Sequence, residues 1–257
     1  MPRAMPGKAI LTAAIIMITP EPLPAAAPDL PGARRTDELL KLLIFLSPTF
    51  PVGAFSYSHG VECVIDSGGI RTPESLRDWL ADLLEVGSGW NDAVLLTEAH
   101  HAAIAANWER LSAVAEIAEA LAPSRERQLE SMAQGRAFLE TVAAAWPCHA
   151  AEVLLARDRA VYSVAVGAVA AGHAIALHDT LPAYLNAFLA NLVSVGVRLI
   201  PIGQNAGQRI IASLHPPIAD TAARAACSSL DDLGSATILS DIASMRHEEQ
   251  YSRVFRT

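Results

Sequence analysis

Apolar residues fall at helical intervals along most of the chain. Leu76, Trp79, Leu80, Leu83 and Leu84 recur at i, i+3, i+4, i+7 and i+8, the spacing that gathers side chains on one face of an α-helix. Thr72 and Pro73 stand before them as cap and first-turn proline, a helix start signal. Thr36, Asp37 and Glu38 followed by leucines from Leu39 to Leu46, and closed by Ser47-Pro48, predict a buried helix. Asn91-Asp92 opens another that runs through Ala106, and Asn107 caps one with Trp108, Leu111, Ala115, Ala118 and Leu121 on one face. Pro123-Ser124 restarts the pattern, with Leu129, Met132, Leu139 and Val142 pointing inward.

The stretch Ala160 to Leu177 is almost wholly apolar. It contains Ser163 and His173 and is flanked by Arg157, Asp158, Arg159 and Asp179, so it reads as the central helix of a bundle rather than a membrane span. Leu181-Pro182 breaks the chain, a stripe from Tyr184 to Val193 rebuilds a helix as far as Arg198, and His215-Pro216-Pro217 makes a further break before a last helix ending near Leu230. No segment alternates with period two. The expected fold is all-α, a single-domain bundle of roughly eight to ten helices with a mobile C-terminal tail. Its divisions are an N-terminal extension over 1–35, a helical domain over 36–230 and a tail over 231–257.

Composition agrees with that outline. The 257 residues are 52% hydrophobic but only 5% aromatic, which suits helices packed through small and aliphatic side chains. A net charge of -8 and no Lys/Arg-rich run argue against a nucleic-acid partner. Three widely spaced cysteines, Cys63, Cys148 and Cys227, imply no disulfide framework and fit a reducing compartment. Before residue 36, Arg3 and Lys8 precede the apolar run Ala9 to Thr19 and a Pro/Ala-rich stretch. That outline fits a secretory signal or an unstructured extension equally well, and it is too short to span a bilayer, which takes roughly 20 residues.

No constellation for catalysis emerges. His100 and His101 are adjacent and point about 100° apart, His173 and His178 stand at i+5, and Cys148-His149 has no second pair. Gly203 to Gly207 has the outline of a phosphate loop but lacks the Lys-Ser/Thr that such a loop needs. Ser56 and Ser58 have no base to activate them. Two segments remain unusual. The loop Pro48 to Gly60 carries Phe50, Phe55 and Tyr57 among prolines and glycines, and the tail from Asp231 ends in a mixture of charge and aromatics. Tyr, Phe, Arg and Met are enriched where proteins meet proteins.

These same segments resemble the urease accessory protein UreF family. Ser47-Pro48-Thr49-Phe50-Pro51-Val52-Gly53-Ala54-Phe55-Ser56-Tyr57-Ser58-His59-Gly60-Val61-Glu62 is similar to its N-terminal signature, and Val197 to Gln204 with Gly207-Gln208-Arg209 to its central one. Leu230 to Ser235, Asp241 to Glu248 and Gln250-Tyr251-Ser252-Arg253 resemble its C-terminal signature. The likeness covers residues 36–257, and the first 35 carry no motif of it. His59 stands where the family often has Gln, Ile202 where Leu is usual, and Asn205 where Thr or Asp is common.

The resemblance implies a cytoplasmic, all-α homodimer that is not an enzyme. It would bind the UreD/UreH accessory protein, recruit the GTPase UreG and dock on apo-urease, with no nucleic-acid or membrane partner. It would hold no tightly bound cofactor, nickel being handled transiently by the complex. Met245, Arg246, His247, Glu248, Tyr251, Ser252, Arg253 and Phe255 are the expected UreD/UreH contacts. Phe55, Ser56, Tyr57, Ser58, Glu62, Arg198, Gln204, Gly207, Gln208 and Arg209 are expected at a partner or dimer surface. Two other readings remain: a regulator of UreG hydrolysis that inserts Arg246 or Arg253 as a finger, and a helical metalloenzyme using scattered His, Glu and Asp.

Overall fold

The computed structural model describes residues 32–158 and 161–257, so the N-terminal segment up to Pro31 lies outside the described residues. Among the described residues every regular element is helical. The order begins with α1 (Ala33–Phe45), a 3-10 turn (Ala54–Ser56), α2 (Val61–Asp66), α3 (Pro73–Val86), α4 (Ser88–Ile104) and α5 (Trp108–Ala120). It continues with α6 (Arg125–Ala145), α7 (His149–Ala156), α8 (Tyr162–Gly172), α9 (Leu177–Leu199) and α10 (Gln204–Ala225), then a second 3-10 turn (Leu230–Asp232) and α11 (Ile238–His247). The fold is the expected all-α bundle, with eleven α-helices among the described residues.

Caps set three helix starts where the sequence placed them, whereas α1 and α4 begin at Ala33 and Ser88, ahead of Thr36 and Asn91. The Thr72 hydroxyl accepts from the Ser75 amide, Asn107 Oδ1 from Arg110 and Ser124 Oγ from Arg127. Each satisfies one of the amides left bare in a first helical turn.

The centre of the bundle is α8, buried from Ser163 to Ala171 and packed chiefly on α4. Its small residues let the two backbones approach. A Cβ added at Gly167 would overlap the Leu96 carbonyl oxygen. Phe45, Phe138 and Trp146 meet edge-on beside it, with centroids 5.8 and 5.5 Å from that of Phe45.

Several expectations are corrected. The helix read as buried, α1, inserts only Leu42 and Phe45, while Leu39, Leu40, Leu43 and Ile44 are exposed. Leucines lie all round it, and one face alone meets the body. On α6, Leu139 and Val142 are buried as expected but Leu129 is exposed; Glu126, Glu130 and Gln134 turn inward instead, in line with Phe138. Neither proline break occurs. Pro182 sits in the second turn of α9, where the carbonyl it leaves unpaired belongs to exposed His178. Pro216 and Pro217 lie within α10, opposite carbonyls of exposed Ala212 and Ser213, while Ile210, Leu214 and Ile218 keep the buried stripe continuous.

Helix α9 is long and apolar enough, by length and composition, to cross a membrane, but half of its apolar window is buried inside the protein. It packs against α10, α4 and α2. The segment read as a mobile tail is also placed differently: α11 packs on α2 and α6, and Phe255 and Thr257 are buried. His247 and Arg253 of this segment are met by Glu62 and Glu126 on the body.

Candidate functional site

The two unusual segments of the sequence form one site. Gly53 and Gly60, both with left-handed backbone (φ 72° and 78°), shape the loop that enters α2. At Gly60 a side chain would also stand 2.9 Å from the Ser244 amide nitrogen, so the missing Cβ lets α11 come down onto the loop. Beyond α11 the chain runs back along that loop. The Arg256 amide donates to the Ser56 carbonyl at 2.8 Å, and the Ser58 amide donates to the Thr257 carbonyl at 2.8 Å. The Ser58 hydroxyl donates to the same carbonyl.

Beneath this pairing lies a belt of buried charge. His247 is fully buried, with Nε2 3.0 Å from Glu62 Oε2 and Nδ1 2.8 Å from Glu126 Oε2. Those two contacts need two protons between them. Glu62 also accepts the amides of Val254 (2.7 Å) and Phe255 (3.0 Å), and Glu126 Oε1 accepts from Arg253 at 2.9 Å. Burial pushes the Glu126 carboxyl up, against the pull of His247 and Arg253. Further in, Glu130 pairs with Arg127 at 2.5 Å and accepts from the Thr257 hydroxyl at 3.0 Å. Burial would raise Glu130, but Arg127 and His59 outweigh it and hold the carboxyl at about 2.

His59 closes the belt. Its Nε2 meets Ser88 Oγ at 2.7 Å and its Nδ1 lies 3.5 Å from Glu130 Oε1, a long polar contact rather than a good hydrogen bond. Burial, with Arg127 nearby, lowers its pKa to about 4. His59, Asp92, Arg127, Glu130 and Tyr184 line one side of a chamber of about 700 Å³ under α1. Tyr184 donates to Asp92 there at 2.9 Å, and burial raises the Asp92 carboxyl.

On the outer side, Arg198 crosses from α9, donating to the Phe55 carbonyl and covering the Phe255 ring at 4.0 Å. Phe55 is 67% exposed, Tyr251 is fully exposed and Val254 is 70% exposed. Met245, Arg246, Glu248, Ser252 and Arg256 are exposed as well.

Of the residues expected at a partner surface, Ser58, Glu62, His247 and Phe255 are therefore inside, and Tyr57 is buried with its carbonyl held by Asn191. Ser56 is half-buried in the pairing. Arg253 is partly exposed but tied to Glu126. Gln204, Gln208 and Arg209 are exposed at the start of α10, where Gly207 lies against Val197 of α9. Sequence reasoning missed Glu126, Arg127 and Glu130. The visible signal was the four-residue step Glu126, Glu130, Gln134, Phe138, a polar row ending in an aromatic that must be inside.

Among the described residues no group of three His, Cys, Asp or Glu is placed to hold a metal ion. His100 and His173 each bond a backbone carbonyl, of Ile175 and Trp146.

A family model described as UreF matches residues 70–215. The chain is 48% identical over 231 residues to a "Urease accessory protein UreF" of Bradyrhizobium sp. (strain ORS 278), covering 90% of this chain and 96% of the relative. It is 46% identical over 245 residues to a protein of the same name from Bradyrhizobium diazoefficiens, covering 95% of this chain and all of the relative. An alignment of that length takes in part of the segment before residue 36. "Urease accessory protein UreF 1" of Brucella canis is 50% identical over 222 residues, 86% of this chain and 95% of the relative.

Proposed function

The chain belongs to the UreF family of urease accessory proteins, and from that premise we propose that it is a non-catalytic scaffold for loading nickel into apo-urease. It binds UreD/UreH through the tail and the adjoining loop, recruits the GTPase UreG, and works in the cytoplasm. The observation that carries this reading is the convergence of residues 55–58, Arg198 and residues 245–257 on one face. Exposed Met245, Arg246, Glu248, Tyr251, Ser252 and Val254, with Phe55 beside them, offer an aromatic and charged surface of the kind partners bury. Ser56, Tyr57, Ser58, Glu62, His247, Arg253 and Phe255 support that face from within or at its edge.

Nickel is handled transiently by the complex rather than held, with polar groups around the chamber under α1 as candidate contacts. The exposed leucines of α1 supply an apolar face that a homodimer would bury. Gln204, Gly207, Gln208 and Arg209 lie at a second candidate surface, at the start of α10.

Removing residues from Asp241 onward and following complex formation with UreD/UreH by size exclusion tests the reading. Loss of the complex is expected, and unchanged binding would overturn the tail's role. Control of UreG hydrolysis by an arginine finger gains no specific support: Arg253 is engaged by Glu126, and Arg246 is simply exposed.

A further inference from the structure

Beyond the scaffold reading, we propose that the chamber under α1 is a binding site for a primary alkylammonium group, with its stem between α1 and α9 and its ammonium on the Asp92 carboxylate. The chamber has two unlike sides. Leu39, Leu42 and Leu43 of α1 and Ala183, Ala187 and Phe188 of α9 make one of them apolar, opposite the polar side already described. The ion pair of Arg35 and Asp179 lies at its outer edge. Its volume of about 700 Å³ is that of a small-ligand pocket.

The polar side is one cation short. Two carboxylates, Asp92 and Glu130, line it, and its one guanidinium, Arg127, is engaged by Glu130 at 2.5 Å. His59 adds no charge near neutral pH, because burial lowers it to about 4. Burial pushes the phenols of Tyr162 and Tyr184 up, so both stay neutral. Among the described residues Asp92 has no ion-pair partner. Tyr184 donates to its Oδ2 at 2.9 Å, and its Oδ1 meets no donor at bonding geometry. His59 Nδ1, on the same side, is also buried without a hydrogen bond. Burial raises the Asp92 carboxyl, with Arg127 opposing it from farther away; a cation bound in the chamber would offset that desolvation.

The same geometry selects the kind of cation. A bare divalent ion needs several converging ligands, and no group of three His, Cys, Asp or Glu is so placed among the described residues. A guanidinium favours both oxygens of one carboxylate, whereas one Asp92 oxygen is taken by Tyr184. An ammonium donates to single acceptors in several directions, and Ser131 and Gln134 on the chamber wall add neutral oxygens to Asp92 Oδ1. Its methylene stem can lie along the apolar side while the tip reaches the acid. A free amine and the lysine of a partner protein share this chemistry.

The test uses the full chain with n-butylammonium, 1-butanol and nickel(II) as probes. Binding is read by calorimetric titration and by methyl NMR of the α1 leucines, assigned through Leu39→Ile and Leu43→Ile. Butylammonium should shift the Leu39, Leu42 and Leu43 signals and bind about tenfold or more tighter than butanol. Asp92→Asn, which keeps an oxygen for Tyr184, should abolish that preference. If this variant fails to fold, the difference between the two probes on the parent chain still decides. Equal binding of alcohol and ammonium overturns the site, as does the absence of any shift with butylammonium. So does a preference that survives in folded Asp92→Asn, or displacement of butylammonium by equimolar nickel(II). A last arm identifies the source. Butylammonium that weakens binding of UreD/UreH, UreG or apo-urease assigns the chamber to a partner's lysine, and butylammonium that leaves all three unchanged assigns it to a free amine.

Discussion

The seam between α4 and α8 and the seat of α11 on α2 and α6 solve the same problem by opposite means. Both bring helices close through a glycine, Gly167 in one and Gly60 in the other. At the seam α8 contributes small apolar residues from Val164 to Ala171, all buried, and its backbone meets that of α4 at Gly167. At the seat the contact is made of carboxylates, imidazoles and guanidinium groups, while Ile238, Leu239 and Met245 on the outer face of α11 remain exposed. A dry seam resists any opening because every atom lost is buried area. A seat of ions is selective about geometry and loses less on opening, since its charges regain water. The first kind of contact defines the bundle; the second presents a surface.

The comparison predicts where substitutions should hurt. Gly167→Val should be the most damaging, since its side chain would enter the Leu96 backbone; a loss of about 4 kcal/mol or failure to fold is expected in urea denaturation. Next comes acid. His59 is lowered to about 4 by burial, so between pH 6.5 and 4 the unfolded chain takes up a proton that the folded one refuses. Stability should fall with pH across that window, at up to about 1.4 kcal/mol per unit. His59→Gln should flatten that part of the profile. Glu130, held at about 2, contributes stability above about 4.5 that is lost as pH falls further; it should remain the source of the acid limb in the variant.

A smaller change is expected from Gly60→Ala. The residue has left-handed backbone and would press on Ser244, costing about 1–2 kcal/mol. Limited proteolysis should find the chain after residue 237 cut first, with the rest of the bundle intact. Smallest of all is Tyr251→Ala, which should shift the thermal midpoint by less than about 0.5 kcal/mol equivalent. If Gly60→Ala destabilised the whole bundle as much as Gly167→Val, the distinction between seam and seat would collapse.

The seam was legible from sequence and the seat was not. An apolar run with glycines and no charges can only be central, and Thr72, Asn107 and Ser124 announced their helices through local hydrogen bonds. Local signals misled where the tertiary setting relaxed them. Pro182, Pro216 and Pro217 were read as breaks, yet each sits where the orphaned carbonyl belongs to an exposed residue. The segments of the site were visible through their composition and their likeness to a family. Their convergence was not, because Glu126 and Glu130 look like any solvated helix face until partners more than 100 residues away, such as His247 and Thr257, arrive. For the same reason Glu62 and His247 looked like surface residues.

That arrival has a temporal side. Glu62 and Phe255 are separated by 193 positions, so their contact is a late step for a chain made from one end. The helices of the body can assemble as they emerge, whereas the seat must wait for residues 247–255. A chain lacking residues 247–255 would therefore carry a nearly finished bundle in which Glu62 and Glu126 lack the imidazole that stands between them.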